Sequence, residues 1–293
     1  MVKKLKKAVF PVAGLGSRFL PATKANPKEM LPVVDKPIIQ YAVEEAVEAG
    51  FSELIFITNS SKRAIEDHFD VNYELQNRLS TEGKYSLLST INFLPAPIRC
   101  TFIRQPEPKG LGDAIRCAKH VINDEPFAVI LPDDLIMSNS QNCLGQMAAL
   151  YQNTQANILA IEKIDLADSN KYGVISVSQY FETYYEINGI VEKPAPEESP
   201  SSLGVVGRYI FNPEIFSFLE TISPGKNDEI QLTDAIKQLI NVQEVFGYKI
   251  QGKRYDCGDK FGFVKATIQY ALKHPEIGEK VRHYFDNFSE LTV

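Results

Sequence analysis

A chain of 293 residues, 44% hydrophobic and 23% charged, carries enough apolar material for one large core or two domains. No apolar run reaches the length of about 18 residues that a membrane helix needs. The formal net charge of −6 argues against a generic nucleic-acid binder, so any phosphate-bearing ligand must be met by a local cluster of cations. The start, MVKKLKKAVF, is basic, but its apolar stretch is too short for a secretion signal. Four scattered cysteines without a CxxC pair read as reduced thiols, and the expected location is the cytoplasm.

Strand-like and helix-like segments alternate from the beginning. KAVFPVAG reads as a buried strand that breaks into glycines. KPIIQYAVEEAVEAG reads as a helix, with Pro37 near its first turn and Gly50 closing it. SELIFITN, CTFIRQ and FAVILPDD are strands; KRAIEDHF and LGDAIRCAKHVI are helices. This order predicts βαβ units, a parallel sheet covered on both faces, and a ligand crevice at the carboxyl ends of its strands. After Leu150 the pattern loosens. NILAIEKI, YGVISV, YYEINGIVEKP and LGVVGRYIF are strand-like, NPEIFSFLETI and EIQLTDAIKQLI are amphipathic helices, and VFGYKIQGKRYDCG looks like a final strand pair. A closing helix and an aromatic helical tail follow. The expectation is an α/β fold with a mostly parallel central sheet flanked by helices and a smaller, sheet-extending part. One domain spans 1–293, with a nucleotide-binding half over 1–150, a second half over 151–275 and a helical tail over 276–293.

The chemistry begins in AGLGSRFLPATKANPKEMLP. Gly14 and Gly16 let backbone N–H groups approach a phosphate or a base, and Arg18 and Lys28 supply the charge that the backbone lacks. The dinucleotide fingerprint would need a third glycine at position 19, which is phenylalanine. That disfavours a hydride-transferring enzyme. GYKIQGKR has the spacing of a P-loop, but Arg254 stands where Ser or Thr belongs, so it is discarded. Asp133, ending an apolar strand, and Asp256 or Asp259 in RYDCGD are candidate carboxylates for a divalent metal. Glu192 and Lys193 in IVEKP could meet a sugar hydroxyl and a phosphate, or simply pair with each other. QPEPKGLGDAI offers Gln105 to read a base edge over a loop containing Gly110. The four histidines lie on helical stretches without ligand spacing and read as structural.

Taken in order, AGLGSRFLPATKANPKEMLPVVDKPIIQY, QPEPKGLGDAI, ILPDD, KYGVI, GIVEKP, VGRYIF, EIQLTDAI and YDCGDKFGFVKA resemble the sugar-nucleotide pyrophosphorylases, and their uridylyl branch more than the thymidylyl one. The resemblance implies dimers or tetramers that make UDP-glucose and pyrophosphate from UTP and glucose 1-phosphate, with Mg²⁺. It places Ala13, Gly14, Gly16, Gln105 and Gly110 around the nucleotide, and Arg18 and Lys28 on its phosphates. It places Gly173, Glu192 and Lys193 on the sugar phosphate, and Asp133 and Asp256 on the metal. Asp113 departs from the GLGHA form of the family. The rival expectations are a pyrophosphorylase for another nucleotide, such as dTTP, and a catalytically weak paralogue that binds UDP-glucose.

Overall fold

The computed structural model describes residues 4–225 and 228–287, so the first three residues of the basic start and positions 288–293 of the expected tail lie outside it. Strand β1 (Lys7–Pro11) is buried in all but its last residue. Ala8 and Phe10 enter one core and Val9 the other. A strand that is apolar on both faces has to be covered on both, as in the interior of a parallel sheet. A small ribbon, β2 (Pro32–Val33) with β3 (Lys36–Pro37), precedes α1 (Ile38–Glu48). Just past α1, Gly50 takes φ +92°, a left-handed value that glycine adopts without strain.

Next come β4 (Glu53–Thr58), α2 (Arg63–Phe69) and a mostly exposed helical hairpin, α3 (Tyr73–Thr81) and α4 (Tyr85–Ile91). Strand β5 (Arg99–Arg104) leads to α5 (Gly110–Cys117) and α6 (Lys119–Ile122). The single helix expected here breaks at Ala118, whose N–H turns to the Ile115 carbonyl three residues back and tightens the turn. The chain continues through β6 (Phe127–Ile130), β7 (Asp134–Met137), α7 (Cys143–Thr154), β8 (Asn157–Lys163), β9 (Gly173–Tyr180), β10 (Tyr184–Glu192) and β11 (Leu203–Phe211). It ends with α8 (Ile215–Thr221), α9 (Leu232–Leu239), β12 (Val245–Lys249), β13 (Lys253–Asp256), α10 (Lys260–Lys273) and α11 (Gly278–Asp286).

One nine-stranded sheet runs β5-β4-β1-β6-β11-β8-β12-β10-β9. Its first four strands are parallel. β11 then pairs antiparallel with both β6 and β8, and β10 antiparallel with both β12 and β9. The parallel pairing expected of the sheet is thus concentrated in the first half, and the later strands extend it. The expected final strand pair is not a pair. β12 is buried in all but its last residue and lies between β8 and β10, whereas β13 pairs with β7 in a separate ribbon that sets Asp256 opposite Asp134.

Helices α1 and α7 cover one face of the sheet, and α5, α8 and α9 the other. On the first face, Phe10 and Phe102 each stack on Phe56 with centroids 5.0 Å apart. Burying each such ring stabilises the fold by about 1.5–3 kcal/mol. All four parallel strands end at the same edge, and the loops that follow them carry the chemistry described next.

Candidate active site

The segments that follow β1 and β5 build a first cavity of about 420 Å³, walled by Ala13, Gly14, Gly16, Gln105 and Gly110 among others. Its floor is tied across strands. Val12 donates to the Ile57 carbonyl, Gln105 N to the Thr58 carbonyl, and Asn59 Nδ2 to the Ala13 carbonyl at 2.6 Å. Gly16 takes φ +68°, and a Cβ there would sit 3.2 Å from Lys28 Cβ. Gly110 takes φ +90°, and a Cβ there would meet the Ile230 carbonyl oxygen at 2.9 Å. At Gly110 two stretches of main chain thus touch and glycine is required, whereas at Gly16 the chain turns against the Lys28 side chain.

At the edge of this cavity lies a charged seam. Lys28 Nζ donates to Asp133 Oδ2 at 2.5 Å. Burial acts to push the Asp133 carboxyl up, but the Lys28 ammonium, its hydrogen bond and Arg18 outweigh it and hold the group below the ordinary carboxylate value. Burial likewise acts to lower the Lys28 ammonium, and Asp133 and Glu29 more than reverse this. The neighbouring Glu29 is anchored by Lys62 Nζ at 2.8 Å, with the two side chains 2% and 3% exposed. This buried pair fixes the PKEM turn so that Lys28 faces Asp133.

Asp256 reaches the seam from the other side. Cys257 N donates to the Asp133 carbonyl at 2.7 Å, and Gly258 N to Asp256 Oδ1 at 2.8 Å. A Cβ on Gly258 would lie 3.0 Å from Asp133 Oδ2, 3.0 Å from Asp256 Oδ1 and 3.3 Å from Arg18 Nη1. Both carboxylates and the guanidinium therefore surround one point. Burial, followed by the Asp134 charge, raises the Asp256 carboxyl above its ordinary value. Asp134 itself is occupied: Oδ1 takes Arg254 Nη1 and Oδ2 takes Gly207 N. Asp259, a candidate ligand on sequence grounds, instead caps α10 by accepting from Gly262 N at 2.9 Å. Among the described residues no group of three or more His, Cys, Asp or Glu side chains forms a metal cage. Two converging carboxylates fit Mg²⁺, which is usually held by one or two carboxylates together with substrate phosphates.

A second cavity, of about 490 Å³, opens beyond the seam and is lined by Arg18, Asp133, Gly173, Glu192, Lys193 and Asp256 among others. Gly173 and Glu192 are register partners on β9 and β10. Thr233 Oγ1 donates to Glu192 Oε2 at 2.6 Å, and Lys193 Nζ lies 3.0 Å from Glu192 Oε1. Lys193 takes φ +46°, a strained value for a residue with a side chain and one that gathers at functional sites. Leu111 walls both cavities. Every candidate residue except Asp259 thus falls at one cavity or at the seam between them.

The sequence profile of the nucleotidyl transferase family matches residues 7–272. The chain belongs to this family. Among its nucleotidyl transferase relatives, the UTP--glucose-1-phosphate uridylyltransferase of Staphylococcus epidermidis is 47% identical over 283 residues, 97% of this chain and 98% of that protein. A solved structure described as UTP-bound UGPase from Acinetobacter baumannii superposes with a TM-score of 0.89 at 43% identity, over 96% of this chain and 98% of that one. A UDP-glucose pyrophosphorylase complexed with UDP-glucose gives 0.85 at 46% identity, over 92% of this chain and all (100%) of that one.

Sequence reasoning missed several parts of this nucleotidyl transferase site. Arg208, fully buried on β11, forks onto Glu45 at 2.7 Å and donates to the Leu131 and Asp134 carbonyls, bracing the turn that presents Asp133. Arg254 joins Asp134 to Glu162 and to the Tyr172 hydroxyl. Lys62, Asn59 and Thr233 hold neighbouring parts. A cation inside an apolar run, as in VVGRYIF, was the one available signal of a buried partner.

Proposed function

We propose that this chain makes UDP-glucose and pyrophosphate from UTP and glucose 1-phosphate. The observation that carries the reading is the meeting of two cavities at one seam where Lys28, Arg18, Asp133 and Asp256 converge. Relatives 47% identical over nearly the whole chain carry the same activity in their names. A phosphate oxygen of glucose 1-phosphate forms a bond to the α-phosphorus of UTP, and the bond from that phosphorus to the β-phosphate bridging oxygen breaks. The attacking oxygen is already an anion, so no general base is required. The protein's task is alignment and charge neutralisation between two polyanions. Ala13, Gly14, Gly16, Gln105 and Gly110 hold the nucleoside, and Arg18 and Lys28 face its phosphates. Gly173 and Glu192 receive the sugar, and Lys193 its phosphate. Asp133 and Asp256 would hold Mg²⁺, which when bound offsets charge on the phosphates.

The chain acts as a single domain in which 1–150 builds most of the first cavity, and 151–275 builds the second together with Arg18, Leu111, Leu131, Asp133 and Asp134. It works as a cytoplasmic homodimer or homotetramer, a reading supported by exposed apolar side chains on α10 such as Phe261 and Val264, 65% and 50% accessible. The deciding experiment is pyrophosphate release with Mg²⁺, glucose 1-phosphate and either UTP or dTTP. Release with UTP, weaker with dTTP and abolished by chelation, is expected. Equal release with dTTP would move the assignment to another nucleotide, and none with either would overturn it.

A further inference from the structure

Gln105 and Asp113 are 4% and 5% exposed, and their side chains are joined beside the first cavity. Gln105 Nε2 donates to Asp113 Oδ2 at 2.7 Å and to the Gly110 carbonyl at 3.3 Å. Both partners are pure acceptors, so the amide can sit only one way round. Turned over, it would set Oε1 against a carboxylate oxygen and a carbonyl oxygen, a repulsive arrangement in a site shielded from water. The two hydrogens of Nε2 are both used, and Oε1 is left as the atom available to the cavity that Gln105 lines. Asp113 is held in turn: its Oδ1 accepts from Arg116 Nη2, one turn along α5.

We infer that Asp113 is a specificity-determining residue for the base: it locks the Gln105 amide so that the cavity offers an acceptor, selecting nucleotides whose ring edge carries an N–H donor. The inference rests on the proposed use of UTP. Uracil presents N3–H between two carbonyls and satisfies Oε1. Cytosine presents a bare N3, which faces Oε1 lone pair to lone pair. A buried polar group left unpaired in this way discriminates by about tenfold to a hundredfold or more. Thymine carries the same N3–H as uracil, so the lock separates UTP from CTP and not from dTTP. Asp113 acts through Gln105 and touches no substrate itself.

The substitution Asp113→Asn reverses the lock without changing its shape. Arg116 continues to donate to the amide oxygen at the Oδ1 position, which leaves the new NH₂ facing Gln105. Gln105 then turns its Oε1 onto that NH₂ and its Nε2 toward the cavity, because the short contact at position 113, 2.7 Å in the parent, outweighs the longer 3.3 Å bond to the Gly110 carbonyl that the turn gives up. Calorimetric titration of the full chain with UTP and with CTP reads this directly. The parent binds UTP at least about tenfold tighter than CTP, and in D113N that ratio falls by about tenfold or more, with weaker UTP and stronger CTP binding. Asp113→Ala frees the amide without reversing it, so the ratio falls there with no gain for CTP; it serves if D113N is unstable. An unchanged ratio in both variants, or an equal loss for both nucleotides, overturns the lock and leaves Asp113 a structural residue. A parent that binds UTP selectively but releases no pyrophosphate sinks the proposed reaction and leaves the lock standing. A parent that binds neither nucleotide sinks both.

Discussion

The two cavities are built by different means. The first is lined largely by glycine, alanine and proline near strand ends, with Gln105 among its few polar side chains. The second is mostly side chains that hold one another: Thr233 on Glu192, Lys193 on Glu192, Arg254 on Asp134. A backbone wall recognises whatever its shape admits and adjusts little. A side-chain wall is assembled from distant segments and can be retuned one residue at a time. The seam between them shares Arg18, Asp133 and Asp256 with the second cavity, adds Lys28, and concentrates the charge.

The largest effect is expected where the seam is anchored. Lys62→Met leaves Glu29 buried without its cation and should cost about 3–5 kcal/mol in urea unfolding; parent-like stability would mean that the PKEM turn is held by other contacts. Next comes Lys28→Ala. The loss of one cation facing the phosphates should remove about 3 kcal/mol of transition-state stabilisation, about a hundredfold in turnover. Steady-state kinetics should show both KM values within a few-fold of the parent, because Lys28 belongs to neither wall, and a parent-like kcat would refute the assignment.

A paired test then separates the walls. Gly110→Ala forces a side chain into φ +90° and against the Ile230 carbonyl. It should weaken UTP by about 1–3 kcal/mol and spare glucose 1-phosphate. Thr233→Val removes the donor to Glu192 and should do the converse, at about 0.5–1.5 kcal/mol. If each variant weakened both substrates alike, the division into two walls would fail. The smallest effect concerns pH. Burial lowers the His68 imidazole below its ordinary 6.5, so the unfolded chain takes up a proton before the folded one does. Stability is therefore lost as pH falls through 6.5, with a slope of at most about 1.4 kcal/mol per pH unit for one proton. His68→Gln should flatten that part of the stability–pH curve; an unaltered slope would place the titrating group elsewhere.

Much of the backbone-built wall could be read in the sequence, because glycine spacing and apolar strands are local signals. Gly14, Gly16 and Gly110 stand out wherever they are printed. Loop ends after parallel strands converge by the logic of the fold, and that logic brings Asp133 to the crevice. Tertiary pairing was harder. Sequence order pairs β13 with its neighbour, although its partner β7 lies more than a hundred residues earlier. Arg208 reads only as a strand residue, because Glu45, which explains it, is 163 positions away. Asp259 reads as a metal candidate from its motif, although an aspartate just before a helix is an N-cap by default. The departure at Asp113 left the role of that side chain open, and only its distance to Gln105 supplies one.

Residues 229–233 run from the first cavity to the second, with Glu229 on one wall and Thr233 on the other. Midway, the Ile230 carbonyl accepts from Gly112 N at 2.9 Å, and Ile230 N donates to the Lys109 carbonyl at 2.8 Å. This short strap makes the choice of base and the choice of sugar poor candidates for independent inheritance. A graft that imports a new sugar pocket has to bring residues 229–233, and with them residues 109–112 at the start of α5, to which they are bonded. Descendants with altered specificity should therefore differ in both segments together, as a single exchangeable cassette.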